Sequence, residues 1–162
     1  MHIPNQHQIR RLGYIASLFE DTSSSIFEKV KYPSVVYIQP KGRNKIKAAF
    51  PLIDHVIYGE TILSISEKLD ESGSIIQYHY GWEESQRVRA KGKQVRHIMA
   101  FGNENHRPGS SGWVETNPFH HHHVPGEPKQ RKSTAVQTLE EVIQILQTYI
   151  CTGKHYDSSH NF

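Results

Sequence analysis

The sequence predicts an α+β fold, with an antiparallel β-sheet of about four to six strands and the N- and C-terminal helices packed on one face. Apolar residues recur at helical spacing near both ends of the chain, and short β-branched and aromatic runs lie between them. A chain of 162 residues suits one domain. We expect this domain to span residues 1–153, with a frayed tail at 154–162. Because both helices cover one face, the other face is left for a site.

The first third of the chain predicts one helix and one strand. In residues 9–19 the apolar side chains lie three and four positions apart, which is typical of one face of an amphipathic helix. Residues 34–39 are β-branched and aromatic and predict a strand that Pro40 stops. Residues 46–58 lack clean alternation, so we expect two short pieces with a bend or an edge position at Pro51.

A β-hairpin is predicted for residues 61–82, around the turn residues 70–73. Alternation along its first strand puts Glu67 on the same face as Leu63 and Ile65. A carboxylate therefore lies on the apolar, inward face of this strand. His79 lies in the neighbouring strand, between two tyrosines.

The last third predicts a basic loop, a short strand, a long loop and a helix. Residues 86–97 are rich in Lys and Arg and contain no acidic residue, and residues 98–101 predict a strand. Residues 102–135 are dense in Gly, Pro, Ser, Asn and His, and a loop of this length is usually functional or disordered; we expect it to be functional. Thr138 begins a capping box, and helical spacing continues to a stop at Gly153.

Composition limits the class of protein. The net charge of +3 is a mild excess, whereas 12 histidines can add positive charge as the pH falls. Cys151 is the only cysteine, so neither an internal disulfide nor a multi-cysteine zinc site is possible. No apolar stretch reaches the length of a membrane span and Met1 begins no leader, so we expect a cytoplasmic protein with no membrane partner.

The run of four histidines at residues 120–123 is the most conspicuous feature of the sequence. In an extended segment alternate histidines face the same side, so at least two imidazoles are presented together. Three interpretations stay open: a solvated loop, groups that transfer protons, or a transition-metal site formed by His120, His121 and His123.

Carboxylate and imidazole groups beside a basic loop favour phosphodiester chemistry. One group removes a proton from the attacking hydroxyl, another protonates the leaving oxygen, and cations stabilise the charge that builds on phosphorus. The candidate catalytic residues are Glu67, His79, His106, His121 and His123, which we expect to line one cleft. The candidate phosphate-binding residues are Arg87, Arg89, Lys91, Lys93 and Arg96, although such a run is equally typical of a solvated surface.

The order of these motifs resembles the TumE family, the toxin half of bacterial toxin–antitoxin pairs. The resemblance covers residues 46–150 and is carried by the glutamate strand ending at Glu67, the Tyr-His-Tyr strand at 78–80, the element at 101–106, the histidine run and the closing Leu-Glu-Glu-Val helix. The family pattern points to Glu67, His79, Asn103, His106, His120, His121 and His123. Gly102 stands where the family has Asp, and His122 where it has Lys.

The resemblance implies a small intracellular toxin that acts on RNA and is neutralised by a DNA-binding antitoxin. From the residues we predict a metal-independent endoribonuclease without a cofactor, with Glu67 or His79 as general base and His121 or His123 as general acid. The resemblance adds Asn103 to the substrate-binding groups. The alternatives are a metal-dependent nuclease, or a non-catalytic protein whose histidines bind a divalent transition metal. A homo-oligomer is compatible with each.

Overall fold

A computed structural model describes residues 3–20, 26–28, 37–85, 97–103, 121–124, 127–134 and 136–154. The predicted α+β class is confirmed. The described residues form two helices and seven strands: α1 (Gln6–Glu20), β1 (Tyr37–Lys41), β2 (Lys45–Pro51), β3 (Thr61–Leu69), β4 (Ile75–Glu84), β5 (His97–Gly102), β6 (His121–Val124), β7 (Glu127–Ser133) and α2 (Leu139–Thr152).

The seven strands form one antiparallel sheet in which sequence order and spatial order are the same. Both helices pack on the same face of it, because Ile15 of α1 and Leu146 of α2 belong to one buried cluster with the inward residues of the strands. A hydrogen bond from the Tyr14 hydroxyl to Glu140 joins the two helices. We call the face that carries the helices the proximal face and the opposite one the distal face.

Alternation decides which side chains are buried under the helices. Along β3 every second residue is buried, from Thr61 through Glu67 to Leu69. In β4 the proximal side chains are Tyr78, Tyr80 and Trp82, each at most 6% exposed. These large aromatic rings join aliphatic side chains such as Ile15 and Leu146 in the core and add to its hydrophobic stabilisation.

Local capping signals fix both helices. Asn5 precedes α1 and accepts a hydrogen bond from the backbone of Gln8, whose side chain accepts one in return from the backbone of Asn5. Thr138 accepts from the backbone of Glu141 at the start of α2, and Gly153 ends α2 in a left-handed conformation with φ of 70°. The sequence predicted both the capping box at the start of α2 and the stop at its end.

The structure corrects three expectations about strands. Pro40 lies inside β1, which is an edge strand and can lose one ladder hydrogen bond. The first predicted piece is β2, which ends at Pro51 as expected, but residues 52–58 form isolated bridges at Leu52 and His55 instead of a second strand. Residues 102–135 do not form only a loop, because β6 and β7 lie within them.

Candidate functional site

A single row of residues crosses the distal face and holds two of the candidate histidines, His79 and His121. Ser66 of β3 is the register partner of His79 in β4, which pairs with Gly102 in β5, which pairs with His121 in β6. Neighbouring strands lie about 4.8 Å apart, so the backbones at His79 and His121 are separated by about 10 Å. Only a glycine occupies the position between them.

Gly102 leaves room for the His79 imidazole. A Cβ atom added to Gly102 would lie 3.0 Å from the Tyr78 carbonyl oxygen and 3.7 Å from His79 Nδ1. The half-buried imidazole of His79 therefore lies over the glycine, on the side towards β5 and β6. A larger residue at this position would separate the two histidine positions of the row.

Backbone register puts further polar residues on the distal face beyond Gly102. His121 pairs with Ser133, and His123 pairs with Arg131. Alternation gives His121 and His123 the same face. By backbone register, the positions of His121, His123 and Arg131 therefore lie on the same side of the sheet as that of His79.

A basic groove lies on the distal face next to His79. The groove has a volume of about 210 Å³, and its lining residues are Lys41, Lys45, Lys47, Ser66, Glu67, Lys68, Gln77, Tyr78 and His79. Burial lowers the pKa of Lys47, and the charges of Lys41 and Lys45 lower it further. Four ammonium groups around one groove favour the binding of an anion.

Glu67 is held by a hydrogen-bonded network on the proximal face. Arg11 donates two hydrogen bonds of 2.7 Å to the two carboxylate oxygens, and the Tyr80 hydroxyl donates a third of 2.6 Å. The Glu67 side chain has no exposed surface, and that of Arg11 is 18% exposed. The partners of this carboxylate are therefore α1 and β4, which makes it a group that joins elements of the fold.

The network changes the pKa values of its other members. Burial raises the pKa of Tyr80, and the neighbouring Glu67 carboxylate raises it further. Burial alone would lower the pKa of Arg11, but the hydrogen bonds and charge of Glu67 outweigh it and raise the pKa. Arg11 therefore stays charged and Tyr80 stays neutral throughout the physiological range.

The side chains of Glu67 and His79 lie on opposite faces of the sheet, although both residues border the groove. The register partner of Glu67 is Tyr78, which is buried under the helices, whereas His79 pairs with Ser66 on the distal face. Successive residues of a strand face opposite sides. The two groups therefore lie on adjacent strands with the sheet between their side chains.

The chain matches a known protein family over most of its length. The model of the family described as Toxin TumE matches residues 15–150, which is most of the chain. The chain belongs to the TumE toxin family. The TumE match extends from within α1 to the last turns of α2 and includes the whole register row of the distal face. Neither the curated proteins nor the solved structures contain a significant match.

Of the remaining candidate residues, the structure describes the side chain of Asn103 but not those of the others. Asn103 is described: its side chain accepts a 2.8 Å hydrogen bond from the Tyr78 backbone and donates one of 3.1 Å to the carbonyl of Ile76, so it braces β4. The candidates that lie outside the described residues are His106, His120, Arg87, Arg89, Lys91, Lys93 and Arg96. Their roles, like those of His121 and His123, stay predictions.

A second cavity, also of about 210 Å³, lies beside the Arg11 network. Tyr78, Tyr80, Asn103 and Thr138 are among its lining residues. Burial raises the pKa of Tyr78 to about 12. The phenols of Tyr78 and Tyr80 are therefore neutral hydrogen-bonding groups rather than acids or bases near neutral pH.

Sequence reasoning missed the lysines of the groove as a site. Lys45 and Lys47 alternate along β2, and the same pattern in β3 gives Lys68 the face of Ser66. The alternation of lysines along β2 could have indicated this site, but only the register between β2 and β3 shows that Lys45 and Lys68 lie side by side.

Two kinds of site are absent from the residues that the structure describes. In those ranges, no group of three or more His, Cys, Asp or Glu side chains is placed to hold a metal ion. Neither of the two described helices is long and apolar enough to cross a membrane.

Proposed function

We propose that this TumE-family toxin is an endoribonuclease that needs no metal and uses His79 and His121 as its proton-transfer pair. The observation that carries the proposal is the register row His79–Gly102–His121 on the distal face, next to the lysine groove. The backbones of β4 and β6 at His79 and His121 are about 10 Å apart, which leaves room for one phosphodiester between the two imidazoles. Histidine is the side chain that both accepts and donates protons near neutral pH.

The proposed reaction is an internal transfer at phosphorus. One imidazole takes the proton of the ribose 2′-hydroxyl, and the 2′-oxygen forms a bond to phosphorus. The bond from phosphorus to the 5′-oxygen breaks, and the other imidazole, protonated, gives its proton to that oxygen. The products are a 2′,3′-cyclic phosphate and a 5′-hydroxyl. Lysine ammonium groups stabilise the extra negative charge that develops on phosphorus.

Other residues enter the proposal in supporting roles. His123 shares the face of His121 and is the second candidate for the acid. The basic segment with Arg87, Arg89, Lys91, Lys93 and Arg96 is proposed to bind flanking phosphates, and His106 to assist the proton-transfer pair. Glu67 is proposed to position Tyr80 and α1 rather than to act as the base, since Arg11 and Tyr80 occupy its oxygens.

Membership of a toxin family supports a cognate antitoxin as a partner, as well as a toxic activity. We propose that a DNA-binding antitoxin encoded with this chain neutralises it and that the RNA substrate is met in the cytoplasm. The distal face is the surface that such an antitoxin must cover if the proton-transfer pair is to be blocked.

The test is cleavage of RNA by purified protein in excess EDTA, with His79→Ala and His121→Ala compared with His7→Ala on α1 as the matched control. Each site variant is expected to slow cleavage by ~10²–10⁴-fold, because that is the usual effect of a positioned acid or base. Activity that appears only with Mg²⁺ or Mn²⁺ would favour the metal-dependent nuclease. No cleavage together with stoichiometric bound zinc or nickel would favour the metal-binding protein.

A further inference from the structure

Three lysines face each other across three adjacent strands at one end of the distal face. Lys41 of β1 is the register partner of Lys45 in β2, and Lys45 is the register partner of Lys68 in β3. Like charges directly opposite each other destabilise a sheet. A row of three lysines therefore costs stability in the free protein, and residues that break a local rule in this way concentrate at functional sites.

Lys47 adds a fourth charge one alternation step along β2. Burial lowers its pKa, and the positive charges of Lys41 and Lys45 lower it further, which places the lysines close enough to repel one another. None of these four lysines forms an ion pair with a described residue. Among the described residues that line the groove, only Glu67 is acidic, and its carboxylate is paired with Arg11 on the proximal face.

The N-terminus of α1 braces the turn between β1 and β2, next to the lysines. Gln8 has no exposed surface, and its side-chain amide donates hydrogen bonds of 2.9 Å to the carbonyls of Gly42 and Lys45. Asn5 donates one of 2.7 Å to the carbonyl of Arg43, and the backbone of Leu69 donates one of 2.7 Å to that of Asn44. The lysines are therefore held together by the fold, although their charges oppose it.

We propose that the lysine groove binds the phosphodiester backbone of single-stranded RNA and directs it towards His79. This inference deepens the proposed function and rests on it for the position of the cleaved bond. A groove of about 210 Å³ that spans β1 to β4 accommodates one backbone rather than a duplex. Successive phosphates along the groove would neutralise the lysine row and remove its repulsion.

Two opposite effects are expected from one substitution. Lys45→Gln removes the charge at the centre of the row, so it should raise the melting temperature of the free protein. The same change should weaken the binding of RNA. If Lys45 had only a surface role, its replacement would change neither the melting temperature nor the affinity for RNA.

The experiment measures the fluorescence anisotropy of a labelled, unstructured RNA with 2′-O-methyl groups, which cannot be cleaved by 2′-hydroxyl attack. Binding is measured from 0.1 to 1 M NaCl for the native protein, the double variant Lys45→Gln/Lys47→Gln and the control Lys154→Gln at the end of α2. Each phosphate contact to a single strand contributes about 0.7 to the slope of log K against log salt, which is about 5-fold in affinity at 0.1 M. The double variant should bind about 25-fold more weakly at 0.1 M, with a slope lower by about 1.4 and no difference at 1 M.

Equal losses in Lys154→Gln and in the double variant, or an unchanged slope in the latter, would overturn the inference. Tighter binding of a matched duplex RNA would overturn its single-stranded part, and tighter binding of poly-glutamate would favour an acidic protein segment instead. Lysine-dependent binding without any cleavage of natural RNA would refute the proposed function and leave the RNA groove intact.

Discussion

Removal of the Arg11 guanidinium tests whether the Glu67 carboxylate holds the fold together. Arg11→Met keeps much of the apolar stem but removes two hydrogen bonds of 2.7 Å, so the carboxylate would keep only the Tyr80 hydroxyl. Loss of one partner from a buried ion pair costs about 3–5 kcal/mol, since the other charge is left buried. The Arg11 side chain is 18% exposed, so water can reach part of the vacated space and the lower end, about 3 kcal/mol, is expected.

The magnitude is large relative to the stability of a domain of this size. About 3 kcal/mol corresponds to a fall of about 6–12 °C in melting temperature for a chain of 150–250 residues. Urea unfolding followed by circular dichroism gives the free energy directly, and the denaturant slope should not change. Arg10→Met, on the exposed surface of α1, is the matched control and should change stability by less than about 0.5 kcal/mol.

A double variant separates the charge effect from packing. In Arg11→Met/Glu67→Gln no charge is left buried, so the double variant should be more stable than Arg11→Met alone. A loss below about 1 kcal/mol for Arg11→Met, or a double variant whose loss equals the sum of the two single losses, would refute the structural role of the network. Glu67→Gln, if folded, should also retain RNA cleavage, whereas a general base would not.

Three other outcomes are expected. Burial raises the pKa of the Tyr78 phenol to about 12, so this phenol loses its proton at a lower pH in the unfolded chain than in the folded one. The stability of the protein should therefore fall as the pH rises from about 10 to 12. In alkaline unfolding, Tyr78→Phe should lessen that fall by up to about 2 kcal/mol. Gly102→Ala would put a methyl group 3.0 Å from the Tyr78 carbonyl and should slow RNA cleavage more than it lowers affinity for the uncleavable probe; an equal effect on both would contradict the row. The buried ring of His55 accepts hydrogen bonds from the backbones of Ile57 and Tyr58, so His55→Ala should cost about 1–3 kcal/mol in urea unfolding with cleavage unchanged.

Short-range signals explain which parts of the fold were predictable. The capping box at Thr138, the stop at Gly153 and the alternation that buries Glu67 each depend on residues a few positions apart, and the structure confirms all three. The family resemblance was likewise confirmed, because its motifs are short and stand in a fixed order.

Long-range pairing explains what was missed. β6 and β7 are polar segments, and their sequences do not alternate apolar and polar residues, so nothing local predicts that they extend the sheet. The faces of Glu67 and His79 depend on the register across the hairpin, which includes an irregularity at Lys68 and Leu69. Because one residue of register reverses the face of every side chain, sequence alone grouped two residues that the sheet separates.

End-group analysis of RNA fragments tests the central claim most directly. Purified protein is incubated in excess EDTA with an RNA and with the DNA of the same sequence, and the fragment ends are identified by mass spectrometry. The distal-face mechanism predicts RNA fragments with 2′,3′-cyclic or 3′-phosphates and 5′-hydroxyls, intact DNA, and loss of these products in His79→Ala. Fragments with 5′-phosphates, cleavage of DNA, or undiminished products in His79→Ala would contradict it.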